Sequence, residues 1–200
     1  MELKTLKKLS IPEAHECIYT PCYCEENVWK LCEFVAKEQP ELIKYCYVVF
    51  ISNENQRVPL WNQRAGNADN LTVWDYHVIL IHTPPDQGPA LVYDLDSTLP
   101  FPVDFTKYGC QTLKSDFLLK PEFHRKFRVI PGEIFLNKFT SDRSRMRNPD
   151  GTWIKKPPPY SCIQTSESTN NLEEFISMKA GTGVGEVMNL NQFIEKYFPD

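Results

Sequence analysis

The sequence has no apolar run approaching the ~20 residues that cross a bilayer; its longest, Tyr45 to Ile51 and Val78 to Ile81, are far shorter, so no membrane segment is expected. Its start, MELKTLKKL, carries charge but no apolar h-region before Pro12, so no secretory leader is expected either. It lacks an even complement of cysteines. Seven cannot all pair within one chain, which argues against a secreted, disulfide-framed fold and for a reducing compartment, the cytoplasm and by extension the nucleus. It also lacks a surplus of positive charge: 22 Lys and Arg against 26 Asp and Glu give a net charge of -4, which speaks against a general nucleic-acid binder. No internal repeat is present.

What the chain does have is the composition of an ordinary globular domain, 42% hydrophobic and 24% charged over 200 residues, enough to bury roughly 70% of its unfolded surface without staples. We read residues 1–200 as one domain in which 1–15 are flexible. Sixteen prolines cut its middle into pieces too short for a long-helix bundle. Apolar side chains at Val28, Leu31, Cys32 and Val35, acids in the first turn and Pro40 beyond the end predict an amphipathic helix starting near Cys24. Cys46 to Ser52 (CYVVFIS) reads as a strand, Val58 to Trp61 as a short second one, and Phe123 to Ile130 as another. Residues 73–82 (VWDYHVILIH) and 90–96 (ALVYDLD), separated by the turn-rich TPPDQGP, read as a hairpin. Residues 137–170 are polar and proline-rich and predict a long excursion with little regular structure. Two short helices are expected at 171–178 and 189–198, with Asn171 and Asn189 as N-caps.

Chemistry concentrates at three points. At a helix start, orphan N–H groups and the positive dipole end favour a thiolate, which lowers a thiol pKa and makes Cys24 a candidate nucleophile, although Glu25 and Glu26 oppose this as like charges. His77 stands mid-strand. If the hairpin closes with Leu80 facing Leu91, His77 lies across from Asp94, which could accept an imidazole N–H and orient the ring. The same register sets Asp75 against Asp96, an unfavourable pair, and leaves Asp96 as a diagonal alternative orienter. A buried inert cysteine and a hydrogen-bonded core histidine remain open readings of these residues.

CYCEENVWKLCEF at 22–34, FISN at 50–53, VWDYHVILIH at 73–82, YDLDSTLPFP at 93–102, FRVI at 127–130 and PPPYSCI at 157–163 together resemble the protein N-terminal glutamine amidohydrolase family, known by its WDYHV motif. The resemblance runs from Cys17 to Phe198. It implies a Cys24, His77, Asp94 triad that converts the N-terminal glutamine of a protein or peptide into glutamate through a thioester, releasing ammonia and feeding the arginylation branch of the N-degron pathway. It implies no cofactor and no metal, a monomer, and a single α/β domain whose mainly antiparallel sheet is flanked by helices in a papain-like or transglutaminase-like arrangement. Arg145 is a departure, since relatives are expected to carry histidine there.

Recognition of a free α-amino group needs acceptors. Glu25, Glu26, Asp75 and backbone carbonyls near Ser52 and Asn53 are candidates, with helix-start acids and a strand-ending turn as the plain alternative. Rival readings are a cysteine protease, which the same triad would serve, and a PPxY interaction module at Pro157 to Tyr160 that docks WW-type grooves. A zinc site at Cys17, Cys22, Cys24 and Cys32 is disfavoured because the spacings are not those of paired knuckles. The basic clusters His124 to Arg128 and Arg143 to Arg147 are expected to be solvated faces.

Overall fold

A strand buried on both faces has no polar alternation, and β1 (Cys46–Ser52) is such a strand: its VVFI run sits at the centre of a six-stranded sheet. The computed structural model describes residues 9–67, 70–86 and 88–198; the first eight residues of the segment expected to be flexible lie outside them. The sheet runs β6 (Val103–Asp104), β5 (Leu91–Tyr93), β4 (His77–His82), β1, β7 (Lys126–Pro131), β8 (Glu186–Asn189), and each neighbouring pair is antiparallel. Alternation along β1 divides the core. Val48 and Phe50 point with Val78 and Leu80 toward α1 (Cys24–Glu38), α3 (Gly132–Lys138) and α4 (Leu172–Ile176), where Val28, Leu31, Phe135 and Phe175 meet them. Val49 and Ile51 point with Ile79 and Ile81 toward α2 (Phe105–Tyr108) and α5 (Leu190–Tyr197), against Phe105, Phe127 and Phe193. The result is one α/β domain, a mainly antiparallel sheet with helices on both faces.

The predicted hairpin is corrected in two ways. The run 73–82 is not one strand: β3 (Thr72–Trp74) pairs with β2 (Val58–Leu60) in a separate ribbon, and the chain breaks at Asp75 and Tyr76 before β4 begins at His77. The register is also shifted by two, Leu80 facing Tyr93 rather than Leu91, and β5 ends at Tyr93. Asp94 therefore belongs to the turn after the strand, and the feared ladder pairing of Asp75 with Asp96 does not form.

Three further expectations change. Asn189 caps α5 with a full capping box, but Asn171, though it stands at the N-cap of α4, makes no side-chain cap bond; its side chain accepts from the Thr140 N–H and donates to the Lys138 carbonyl. The excursion 137–170 opens with the end of α3 and is pinned by bridges Ser141↔Ile163 and Arg147↔Trp153. The basic clusters are not solvated faces throughout. Arg125 and Arg128 are fully buried, the first on Asp116 and the carbonyls of Pro59 and Leu113, the second on the carbonyls of Ser177, Thr182 and Val184, because a guanidinium fork can satisfy several buried acceptors at once.

Candidate active site

Cys24 is placed by a tight entry into α1. Cys22 adopts a left-handed φ of 68°, and the Asn27 side chain reaches back to accept from the Thr20 N–H at 2.8 Å and donate to its carbonyl at 2.9 Å. In the same first turn, Glu26 is buried in a bidentate pair with Arg143, both contacts 2.8 Å, and Arg143 also donates to the carbonyls of Pro158 and Tyr160. This pair ties the helix start to the 141–161 segment. It uses up Glu26, and Tyr160 of the PPPY motif packs beside it, its ring 4.5 Å from the Lys30 ammonium and 5.2 Å from the Arg143 guanidinium and its hydroxyl buried.

The backbone N–H of Val78, the residue after His77, lies close enough to the Cys24 sulfur to favour its thiolate. His77 is fully buried, stacked on Trp74 at 5.2 Å, with Nε2 at 2.9 Å from Asp94 Oδ1. Its Nδ1 is buried without a hydrogen-bond partner. Asp94 is a fully satisfied carboxylate, since Oδ2 accepts from Tyr108 at 2.8 Å and Gln63 at 3.3 Å and Oδ1 also accepts the Asp96 N–H. Burial alone would raise the Asp94 pKa, but the imidazole and these donors hold it below the usual carboxylate value. The converse holds for His77: burial depresses it, yet Asp94, with help from Asp96 and Glu25, carries it above 6.5.

The thiol differs from the expectation of a depressed pKa. Burial first, then the charges of Glu25 and Asp96, push Cys24 well above its ordinary value, and the Val78 N–H opposes them only in part. A helix start adds a fraction of a charge, whereas dehydration acts on the whole ion.

A cavity of about 330 Å³ opens over Cys24, with Glu25, Asp75, Tyr76, Asp96, Arg145 and Lys155 among its walls. Glu25 is 3% exposed, accepts from the Tyr76 hydroxyl at 2.8 Å, and lies 3.7 Å from the Cys24 sulfur. Burial raises its pKa to about 7. Asp75 pairs with Arg145 at 2.9 Å, and Arg145 also pairs with Glu173. Ser52 is one wall removed, donating to the Asp75 carbonyl, and Asn53 lies elsewhere, its amide spent on the carbonyls of Arg57, Glu122 and His124. A larger cleft of about 760 Å³ between α2 and α5 contains none of Cys24, His77 or Asp94.

His77, Asp94 and Asp96 are the one set of three or more His, Cys, Asp or Glu among the described residues close enough to share an ion, and their contacts already account for their convergence: Asp94 on His77, and Asp96 under the Tyr19 hydroxyl at 2.6 Å. The cysteines from 17 to 32 form no such set, and all seven are free thiols.

Residues 19–197 match the profile of a family described as N-terminal glutamine amidase. The chain belongs to the N-terminal glutamine amidase family. Proteins called protein N-terminal glutamine amidohydrolase from Drosophila grimshawi and Drosophila willistoni are each 51% identical to it over 189 residues, 94% of this chain and 91% of theirs; that of Drosophila melanogaster is 50% identical over 188 residues with the same coverage. This amidase is thus a hydrolase of carbon–nitrogen bonds in linear amides. Several residues of its site escaped the sequence reading. Tyr108 and Gln63 lie in segments without a periodic signal, and Tyr19 and Arg143 reach the site only through long-range contacts.

Proposed function

We propose that this amidase deamidates the side chain of an N-terminal glutamine in proteins or peptides, with Cys24 as nucleophile, His77 as proton carrier and Asp94 as orienter. The observation that carries the assignment is the His77–Asp94 bond of 2.9 Å, which leaves His77 Nδ1 unpaired, next in the chain to Val78, whose backbone N–H favours the Cys24 thiolate. Because the thiol is held up, it loses its proton to Nδ1 as it attacks the amide carbon and does not rest as a free thiolate. Asp94 keeps the imidazolium in place. His77 then gives that proton to the departing ammonia, and as neutral imidazole takes one from the water that cleaves the glutamyl thioester. The Cys24 backbone N–H, in the first turn of α1, is a donor for the oxyanion.

The chemistry calls for no cofactor, and the nucleophile requires a reducing compartment, for which the cytoplasm and nucleus qualify. The product, an N-terminal glutamate, is what the arginylation branch of an N-degron pathway consumes, and the enzyme is read as a monomer. Peptides beginning in Gln, in Asn and in acetylated Gln, together with one carrying internal Gln, test the proposal when ammonia and product mass are followed. Conversion of the free N-terminal Gln alone supports it; backbone cleavage would reassign the triad to proteolysis, and no reaction with any peptide would refute it.

A further inference from the structure

The acids around the cavity are not equivalent. Asp75 has Arg145, and Glu26, behind the wall, has Arg143. Asp96 is held by the Tyr19 hydroxyl and feels the charge of Arg64. Glu25 is buried at the cavity floor with only neutral donors, and among the described residues no Lys or Arg pairs with it. A buried carboxylate without a cation is costly, as the Glu25 pKa raised to about 7 reflects, and a cation arriving with the substrate would offset that cost.

Distance allows this. For attack, the sulfur must come within about 3–3.5 Å of the side-chain amide carbon. In an N-terminal glutamine that carbon and the α-nitrogen are separated by four bonds, at most about 5 Å. The Glu25 oxygen lies 3.7 Å from the sulfur, so a glutamine seated for attack can fold its own α-nitrogen onto that oxygen. We propose that the Glu25 carboxylate binds the α-ammonium group of the substrate's first residue and thereby restricts the enzyme to free chain ends. The inference rests on the amidohydrolase reading above. An internal or acetylated glutamine presents a neutral nitrogen there and leaves the carboxylate uncompensated. There is a consequence for the nucleophile. Glu25 is the leading charge that pushes the Cys24 thiol up, so an ammonium on Glu25 cancels that push and eases ionisation when the correct substrate is seated.

The test uses full-length Cys24→Ala protein, which binds without turnover, and two peptides identical except that the second has hydrogen in place of the α-amine. Calorimetry is expected to show the amine-bearing peptide binding about 10–100-fold tighter, the range of a hydrogen bond between charged groups. In the Cys24→Ala, Glu25→Gln protein, checked for a native melting transition, the preference is expected to fall to about twofold or less. Glu25→Asp keeps the charge but withdraws it, and the preference falls without vanishing; this variant decides the matter if the glutamine variant does not fold. A preference that survives Glu25→Gln undiminished, is unchanged in Glu25→Asp, or is absent from the parent overturns the proposal. Ammonia release by the native enzyme is read separately. Amine-dependent binding without release refutes the amidohydrolase reading and leaves this one standing, whereas release without amine preference refutes this one alone.

Discussion

Strand β4 begins and ends with a histidine, and the two are equally buried, His77 at 0% and His82 at 2% exposure. Their electrostatics are opposite. His77 meets Asp94 and is carried above its ordinary pKa, whereas both ring nitrogens of His82 are buried without a partner and burial drops it to about 4, with Asp86 opposing only weakly. Burial alone therefore makes a histidine inert and neutral. A buried carboxylate, itself fully hydrogen-bonded, turns the same residue into a proton carrier.

Five substitutions test that contrast. The largest effect is expected from removing what His77 serves: Cys24→Ala or His77→Ala should lower ammonia release from a Gln-initiated peptide by at least about 10⁴-fold, and near-native turnover in either would break the comparison at its active end. Asp94→Asn keeps the shape but removes the charge, so the rate should fall by about 10²–10⁴-fold. If it does not, Asp96 is the orienter that matters. Tyr108→Phe removes one donor to Asp94 and should cost about 10-fold in rate together with about 1.5–3 kcal/mol of stability, read by steady-state kinetics and urea denaturation.

The smallest catalytic effect belongs to His82→Leu, which should leave kcat/KM within about twofold, and its signature lies in the pH dependence of stability. A histidine whose folded pKa is depressed to about 4 binds fewer protons folded than unfolded between there and 6.5. Its neutral form thus supports the fold at neutral pH, and that support drains away as pH falls from about 6.5 toward 4. His77, with its raised value, contributes most below 6.5 and loses its contribution as pH rises through the folded pKa. Melting temperatures at pH 7 and pH 4.5 should differ less in His82→Leu than in the parent protein. An unchanged difference would show that water or a rotamer change satisfies His82 in acid.

Much of this was legible in the chain itself. The helix was readable because a 3.6-residue stripe from Val28 to Val35 needs no long-range information, and its bounds coincide with α1 at Cys24. β1 was readable because a run of β-branched and aromatic residues buried on both faces has few other uses. Cys24, His77 and Asp94 stood out as residue types whose chemistry is scarce in a core, and the WDYHV and YDLD motifs carried the family. The register that first paired His77 with Asp94 was wrong by two residues, however, and the contact forms for another reason: β5 stops at Tyr93 and the following turn swings Asp94 inward.

The sequence by itself determined the inventory: a thiol at a helix start, a histidine in a buried strand, carboxylates nearby, and local elements set by periodicity. The tertiary structure alone decided which carboxylate does what. Glu25, Glu26, Asp75, Asp94 and Asp96 are alike in charge and crowd the same region, yet one is matched by Arg143, one by Arg145, one by His77, one by a tyrosine and a more distant arginine, and one by no cation among the described residues. That partition follows from distance and dehydration, which depend on segments far apart in the chain meeting at about 3 Å, and no local pattern encodes such meetings.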